Sequence, residues 1–117
     1  MAQFVLALHT SPNAAQPAHY RSLLALRFAQ AAVTAGHRIN QVFFYQSAVL
    51  HGQAAAAEQS IATQWQAFAQ QHHIPLVLCH TVAATEYQLE QLAEGYSNGG
   101  LTEFATAVAA ADKVVQF

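Results

Sequence analysis

The stretch Ile74-Pro75-Leu76-Val77-Leu78-Cys79-His80 constrains this chain more than any other. It is a continuous apolar run, too short for an ordinary helix, opened by a proline and closed by the only cysteine. Such a run, bounded by a breaker, reads as a strand buried on both faces, as in a parallel sheet. Pro75 fits the first position of that strand and would not fit its middle. The strand therefore delivers a lone thiol to its C-terminal end. In open α/β sheets that edge is where ligands bind and chemistry happens.

The other segments repeat the theme. Gln3 to Leu8 is a second apolar run, reading as the first buried strand and ending at His9-Thr10, with a loop at Ser11-Pro12-Asn13. From about Ala18 to Ala35 the spacing becomes helical, placing Leu24, Phe28 and Ala31 or Ala32 on one face. Gly36 follows as the residue after the helix, where glycine takes the left-handed conformation most cheaply. Ile39 to Tyr45 is β-branched and aromatic and reads as a second strand. A loop at Gln46 to Gln53 and the alanines 54–57 lead into a helix from about Glu58 to Gln71, carried by Ile61, Trp65, Phe68 and Ala69. Beyond Cys79, Thr85 with Gln88 three residues on predicts a capping box and a short helix from Glu86 to about Ala93. Gly95 to Gly100 reads as a loop, Leu101 to Ala111 as a helix, and Lys113 to Phe117 as a last short strand.

Strands alternating with helices through short connections predict one α/β domain over residues 1–117. It has three layers: a mostly parallel sheet of about four to five strands, with helices on both faces. The ends of the first three strands then share one edge, gathering His9 and Thr10, Tyr45 and Gln46, and Cys79 and His80.

Composition bears on partners. Only 9% of residues are Asp, Glu, Lys or Arg while 54% are apolar, against about 25% charged in an ordinary soluble domain. A small domain so short of charge is expected to bury part of its outside against other chains. The net charge of −2 gives no electrostatic footprint for direct contact with nucleic acid or an anionic membrane. No charged leader and no apolar run of membrane-spanning length is visible, so the expected compartment is the cytoplasm.

Cys79 has two readings at this point. As the residue before a turn and helix it would be a nucleophile, since N-terminal helix N–H groups favour a thiolate. As a lone free cysteine it would be a small core residue. His80 would assist only if the strand had already ended, because adjacent strand residues point to opposite faces. His72-His73 lacks metal-ligand spacing, so no metal is expected. Asn98-Gly99-Gly100 before a helix could cradle an anion, but without a phosphate-loop fingerprint a plain turn is the better reading. Tyr45 and Trp65 read as packing residues. Glu86, Glu90, Glu94 and Glu103 read as solvated helix positions, and Asp112 as the junction before the last strand.

Taken together, the leading strand, Phe43-Phe44-Tyr45, the strand Leu76 to Cys79, and the terminal Ala111-Asp112-Lys113-Val114-Val115-Gln116-Phe117 resemble the DsrE/DsrF-like sulfur-carrier family. The likeness is to the branch containing the TusD and DsrE subunits. That resemblance implies a sulfurtransferase subunit that carries sulfur as a persulfide on Cys79, without a cofactor. The relay leads toward tRNA 2-thiouridine in the TusD case or serves sulfur oxidation in the DsrE case. Implied partners are upstream and downstream sulfur carriers and other subunits of the family, TusB- and TusC-like in a hexamer or further copies in a homo-oligomer. Where family members follow the cysteine with an arginine–glycine turn, this chain has Ala83-Ala84-Thr85-Glu86. Two other readings stay open: a non-catalytic interaction subunit of the same fold, and a small-molecule binding module.

Overall fold

A computed structural model describes residues 2–13, 19–53, 61–89 and 91–117. The elements are β1 (Gln3–Leu8), α1 (Tyr20–Thr34), β2 (Arg38–Phe44), a 3-10 segment (Gln46–Gly52), α2 (Ile61–His72), β3 (Leu76–Cys79), α3 (His80–Thr85), β4 (Tyr96–Gly99), α4 (Leu101–Ala110) and β5 (Lys113–Gln116). The expected alanine run 54–57, the start of the predicted helix at 58–60, Ala18 and Glu90 lie outside the described residues.

All five strands form one sheet in the order β4-β3-β2-β1-β5, and every pairing is parallel. Pro75 stands just before β3, as its missing N–H requires, while its carbonyl accepts the Val42 N–H at 3.0 Å. Gly36 has φ +90°, the left-handed conformation expected of it, and ends α1 with the His37 N–H on the Ala32 carbonyl.

Alternation along the strands divides the core. Leu6, Leu8, Val42, Phe44, Leu76 and Leu78 are buried in one cluster with Ala25, Leu26, Ala29 and Ala32 of α1 and Ala62, Trp65, Phe68 and Ala69 of α2. Phe44 meets Trp65 edge to face at 6.1 Å. On the other face lie Val5, Ala7, Phe43 and Val77, also buried, where α4 sits through Phe104, stacked on Phe43 at 4.5 Å. The three-layer expectation is met, with a sheet that is parallel throughout.

The two outer layers are unequal. Helices α1 and α2 bury a full stripe each, whereas α4, with sequence LTEFATAVAA, buries none of its residues. Leu101 is 70% exposed and Val114 on the neighbouring β5 is 44% exposed. An apolar helix left this open is a surface that calls for a cover.

Three expectations are corrected. The helix placed at Glu86 to Ala93 forms earlier, as α3 at His80–Thr85. Thr85 ends it instead of capping the next, its hydroxyl donating to the Thr81 carbonyl at 2.6 Å. Gln88 has φ +53°, which no position inside a right-handed helix can adopt. The loop expected at Gly95 to Gly100 contains β4, a strand of weak formers whose partner β3 supplies the ladder. On α1, Leu24 is 54% exposed, and the buried stripe runs through Ser22, Ala25, Leu26, Ala29 and Ala32. The expected Leu24 face is thus displaced: apart from Leu26 the buried stripe is made of alanines and a serine, residues with little apolar signal.

Candidate functional site

In a parallel sheet, register carries a row of residues across the strands. Leu8 pairs with Phe44, Phe44 with Leu78, and Cys79 with Gly99. One residue past the first two pairs, His9, Tyr45, Cys79 and Gly99 therefore form the next row at the C-terminal edge. The structure brings together His9, Tyr45 and Cys79, as expected from the strand ends, and adds Gly99, which the sequence reading had left in a turn.

Cys79 is a free, half-buried thiol, the last residue of β3 and the residue capping α3. It packs against the rim of the core cluster. Alternation along β3 puts Val77 on the α4 face, but the strand ends at Cys79, whose packing is with the cluster on the α1 and α2 side. On one side stands Gly99, where a side chain is excluded: a Cβ there would lie 2.4 Å from Val77 Cγ1. The other neighbour is Tyr45, whose ring stacks over Phe43 at 6.2 Å and leans toward β1 and β5. Its hydroxyl accepts the Gln116 amide N–H at 2.5 Å, and its ring lies 5.8 Å from that of His9. Phe104, Phe43 and Tyr45 thus make an aromatic row along the α4 face.

His80 is exposed and is the first residue of α3. Because the strand ends at Cys79, the chain turns helical there at once. Thr10 sits with a buried hydroxyl oxygen that lacks a hydrogen-bond partner. Gln46 has φ +51° and opens the 3-10 segment.

The Asn98-Gly99-Gly100 stretch is not an empty anion cradle. Asn98 and Gly99 belong to β4, and the Gly100 N–H donates to the Glu103 carboxylate at 2.7 Å. Bonds from the backbone N–H groups of Glu103 and Gly100 hold that carboxyl below the usual carboxylate range. Glu103 is thus a helix cap and more than a solvated position. Trp65 is buried, as expected of a packing residue. Tyr45, gathered at this edge by the sequence reading, packs on Phe43 and also holds Gln116 through its hydroxyl.

Two grooves lie at the opposite edge, flanking His73-Ile74-Pro75 where β2 and β3 begin; one reaches Gln66 and Glu94, the other Arg38 and His37. Neither includes Cys79. Among the described residues no group of three or more His, Cys, Asp or Glu side chains gathers as metal ligands. No helix among them is long and apolar enough to cross a membrane.

Known proteins agree with this architecture. Residues 5–117 match the model of the DsrE/DsrF-like family. The chain is 39% identical over 109 residues to the sulfurtransferase TusD homolog of Aliivibrio fischeri, covering 80% of this chain and 84% of that one. To the homolog of Pasteurella multocida it is 37% identical over 116 residues, covering 86% and 92%. The sulfurtransferase TusD of Photorhabdus laumondii is 36% identical over 109 residues, covering 80% and 83%. The crystal structure of the ychN protein from E. coli superposes with a TM-score of 0.77 at 22% identity, both chains covered completely, which establishes the shared fold. On the family match and these relatives, with the five-stranded parallel sheet behind them, the chain belongs to the DsrE/DsrF-like family.

Proposed function

We propose that this protein is a sulfurtransferase subunit of a sulfur relay, with Cys79 as the residue that carries sulfur. The reaction class follows from relatives named sulfurtransferase TusD. The observation that carries the assignment of the residue is the position of the chain's only sulfhydryl, half-buried at the C-terminal edge of the parallel sheet.

The chemistry is two displacements in series. The Cys79 thiolate attacks the outer sulfur of a donor persulfide, a new S–S bond forms, the donor's S–S bond breaks, and the donor thiolate leaves. An acceptor thiolate then attacks the outer sulfur now on Cys79, and the Cys79 thiolate departs. Each step exchanges one S–S bond for another, so no outside oxidant or reductant enters. A second cysteine nearby would discharge the persulfide as a disulfide, and the chain has none. Half-burial limits access by bulk solvent.

The relay on this reading runs toward 2-thiouridine in tRNA, with protein carriers upstream and downstream and no contact of this subunit with RNA. Assembly with other subunits of the family, or with further copies of itself, uses the open α4 face with Leu101 and Val114. Alkylation of the native protein tests the assignment. Cys79 should react with iodoacetamide without denaturant; a thiol that reacts only after unfolding rules out the carrier role and leaves an interaction subunit.

A further inference from the structure

Three side chains that sulfur transfer does not use form a closed hydrogen-bond chain in the interior. His51, in the 3-10 segment, places Nδ1 2.7 Å from the Ala48 carbonyl and Nε2 2.6 Å from Ser22 Oγ of α1. Trp65 of α2 donates its indole N–H to the same Ser22 Oγ at 3.0 Å. A carbonyl only accepts, so His51 Nδ1 carries the proton and Nε2 accepts from the Ser22 hydroxyl. All three residues have no exposed surface, and every polar atom of the three side chains has a partner, Ser22 Oγ having two.

Such a network is an expensive way to fill a core. Apolar residues of the same volume do as well for stability, and what the polar version adds is a single defined geometry. The segment it fixes is the one that touches the ends of β2 and β3. Gly52 lies so close to β3 that a Cβ on it would come within 2.3 Å of Leu78 Cδ1, the residue before Cys79. The Gly52 carbonyl accepts the Ala93 N–H at 2.8 Å, and Gln53 bridges Leu92, on the stretch that leads into the start of β4. At its other end the Tyr45 carbonyl accepts the Ala48 N–H at 3.1 Å.

We infer that Ser22, His51 and Trp65 are positioning residues for Cys79: they key the 3-10 segment to α1 and α2, and the segment in turn sets the ends of β2 and β3 that carry Tyr45 and Cys79. This deepens the proposed function but is tested without it, because the readout is the reactivity of the thiol and not sulfur transfer. His51→Leu removes the key. An all-apolar variant, Ser22→Ala with His51→Leu and Trp65→Phe, removes every polar atom of the three side chains together. Trp65→Phe alone keeps the Ser22–His51 pair and serves if the larger changes prevent folding.

The rate of iodoacetamide alkylation of the native protein is followed from pH 6 to about 9, alongside thermal unfolding. A positioning role predicts that His51→Leu and the all-apolar variant alkylate at least fivefold faster than the parent, with a displaced pH profile. In the all-apolar variant this persists even where its melting temperature is restored. Trp65→Phe should show the same change at about twofold. Folded variants whose thiol keeps the parent rate and pH profile, whatever their melting temperature, overturn the inference and leave the network a stability element only. Failure of Cys79 to carry sulfur in a relay assay, with these rates changed as predicted, would refute the proposed function and not the positioning.

Discussion

Acidification should weaken this fold through one residue, His51. Burial in the core, partly offset by the Ala48 carbonyl, lowers its pKa from 6.5 to about 4. In the unfolded chain the imidazole takes up its proton as pH falls through 6.5, while in the native protein it stays neutral until about pH 4. The folded pKa is depressed, so this contribution is complete above pH 6.5 and is lost as pH falls from there toward 4. Between pH 7.5 and 5 the linkage amounts to about 2 kcal/mol, approaching ~3 kcal/mol below both values. The chain holds six other histidines, so the measurement is a difference. Urea unfolding of the parent and of His51→Leu, at fixed protein concentration, gives the two stabilities at each pH. Leucine cannot ionise; the advantage of histidine over leucine should therefore shrink by about 2 kcal/mol over that span. A parent-minus-variant difference that stays flat from pH 7.5 to 5 would show that His51 is not buried as a neutral imidazole, and the hydrogen-bond assignment would fall with it.

Two further perturbations probe the site and its surroundings. Gly99→Ala drives a methyl group into Val77 Cγ1 at 2.4 Å and should cost about 1–3 kcal/mol in urea unfolding. Adding Val77→Ala should recover part of that loss, whereas a neutral Gly99→Ala would mean that β4 can move away from Cys79 freely. Leu101→Glu puts a charge on the open α4 face, where the leucine is 70% exposed. Light scattering after gel filtration should show a lower assembly mass than the parent, and an unchanged mass would remove α4 from the interface.

Much of the fold was legible because strong local signals coincide with the winning tertiary structure. Leu76 to Leu78 are too apolar for anything but an interior strand, Pro75 marks its start, and Gly36 marks the end of α1. The misreadings share a cause: local propensity there was weak or ambiguous, and the neighbours decided. Tyr96 to Gly99 has no strand-forming pattern, yet pairing with β3 makes it β4. Thr85 and Gln88 have the spacing of a capping box, but the helix had already formed from His80, using up Thr85 as its last residue. On α1, Ser22 is invisible to an apolar count, and its burial makes sense only with His51 and Trp65 around it. The candidate thiol was legible, since a lone cysteine after a buried strand has one place to be. Its surroundings were not: Gly99, Gln116 and the 3-10 segment reach the site through register and packing, which no local window contains.

The central claim is that Cys79 carries sulfur, and the most direct measurement is the intact mass of the protein after incubation with a cysteine desulfurase, cysteine and a sulfur-carrier protein. Parent and Cys79→Ser are treated side by side without reductant. The account predicts a gain of one sulfur atom on the parent alone, reversed by reductant. A gain on both proteins, or none on a parent whose thiol also resists alkylation in the native state, would contradict it.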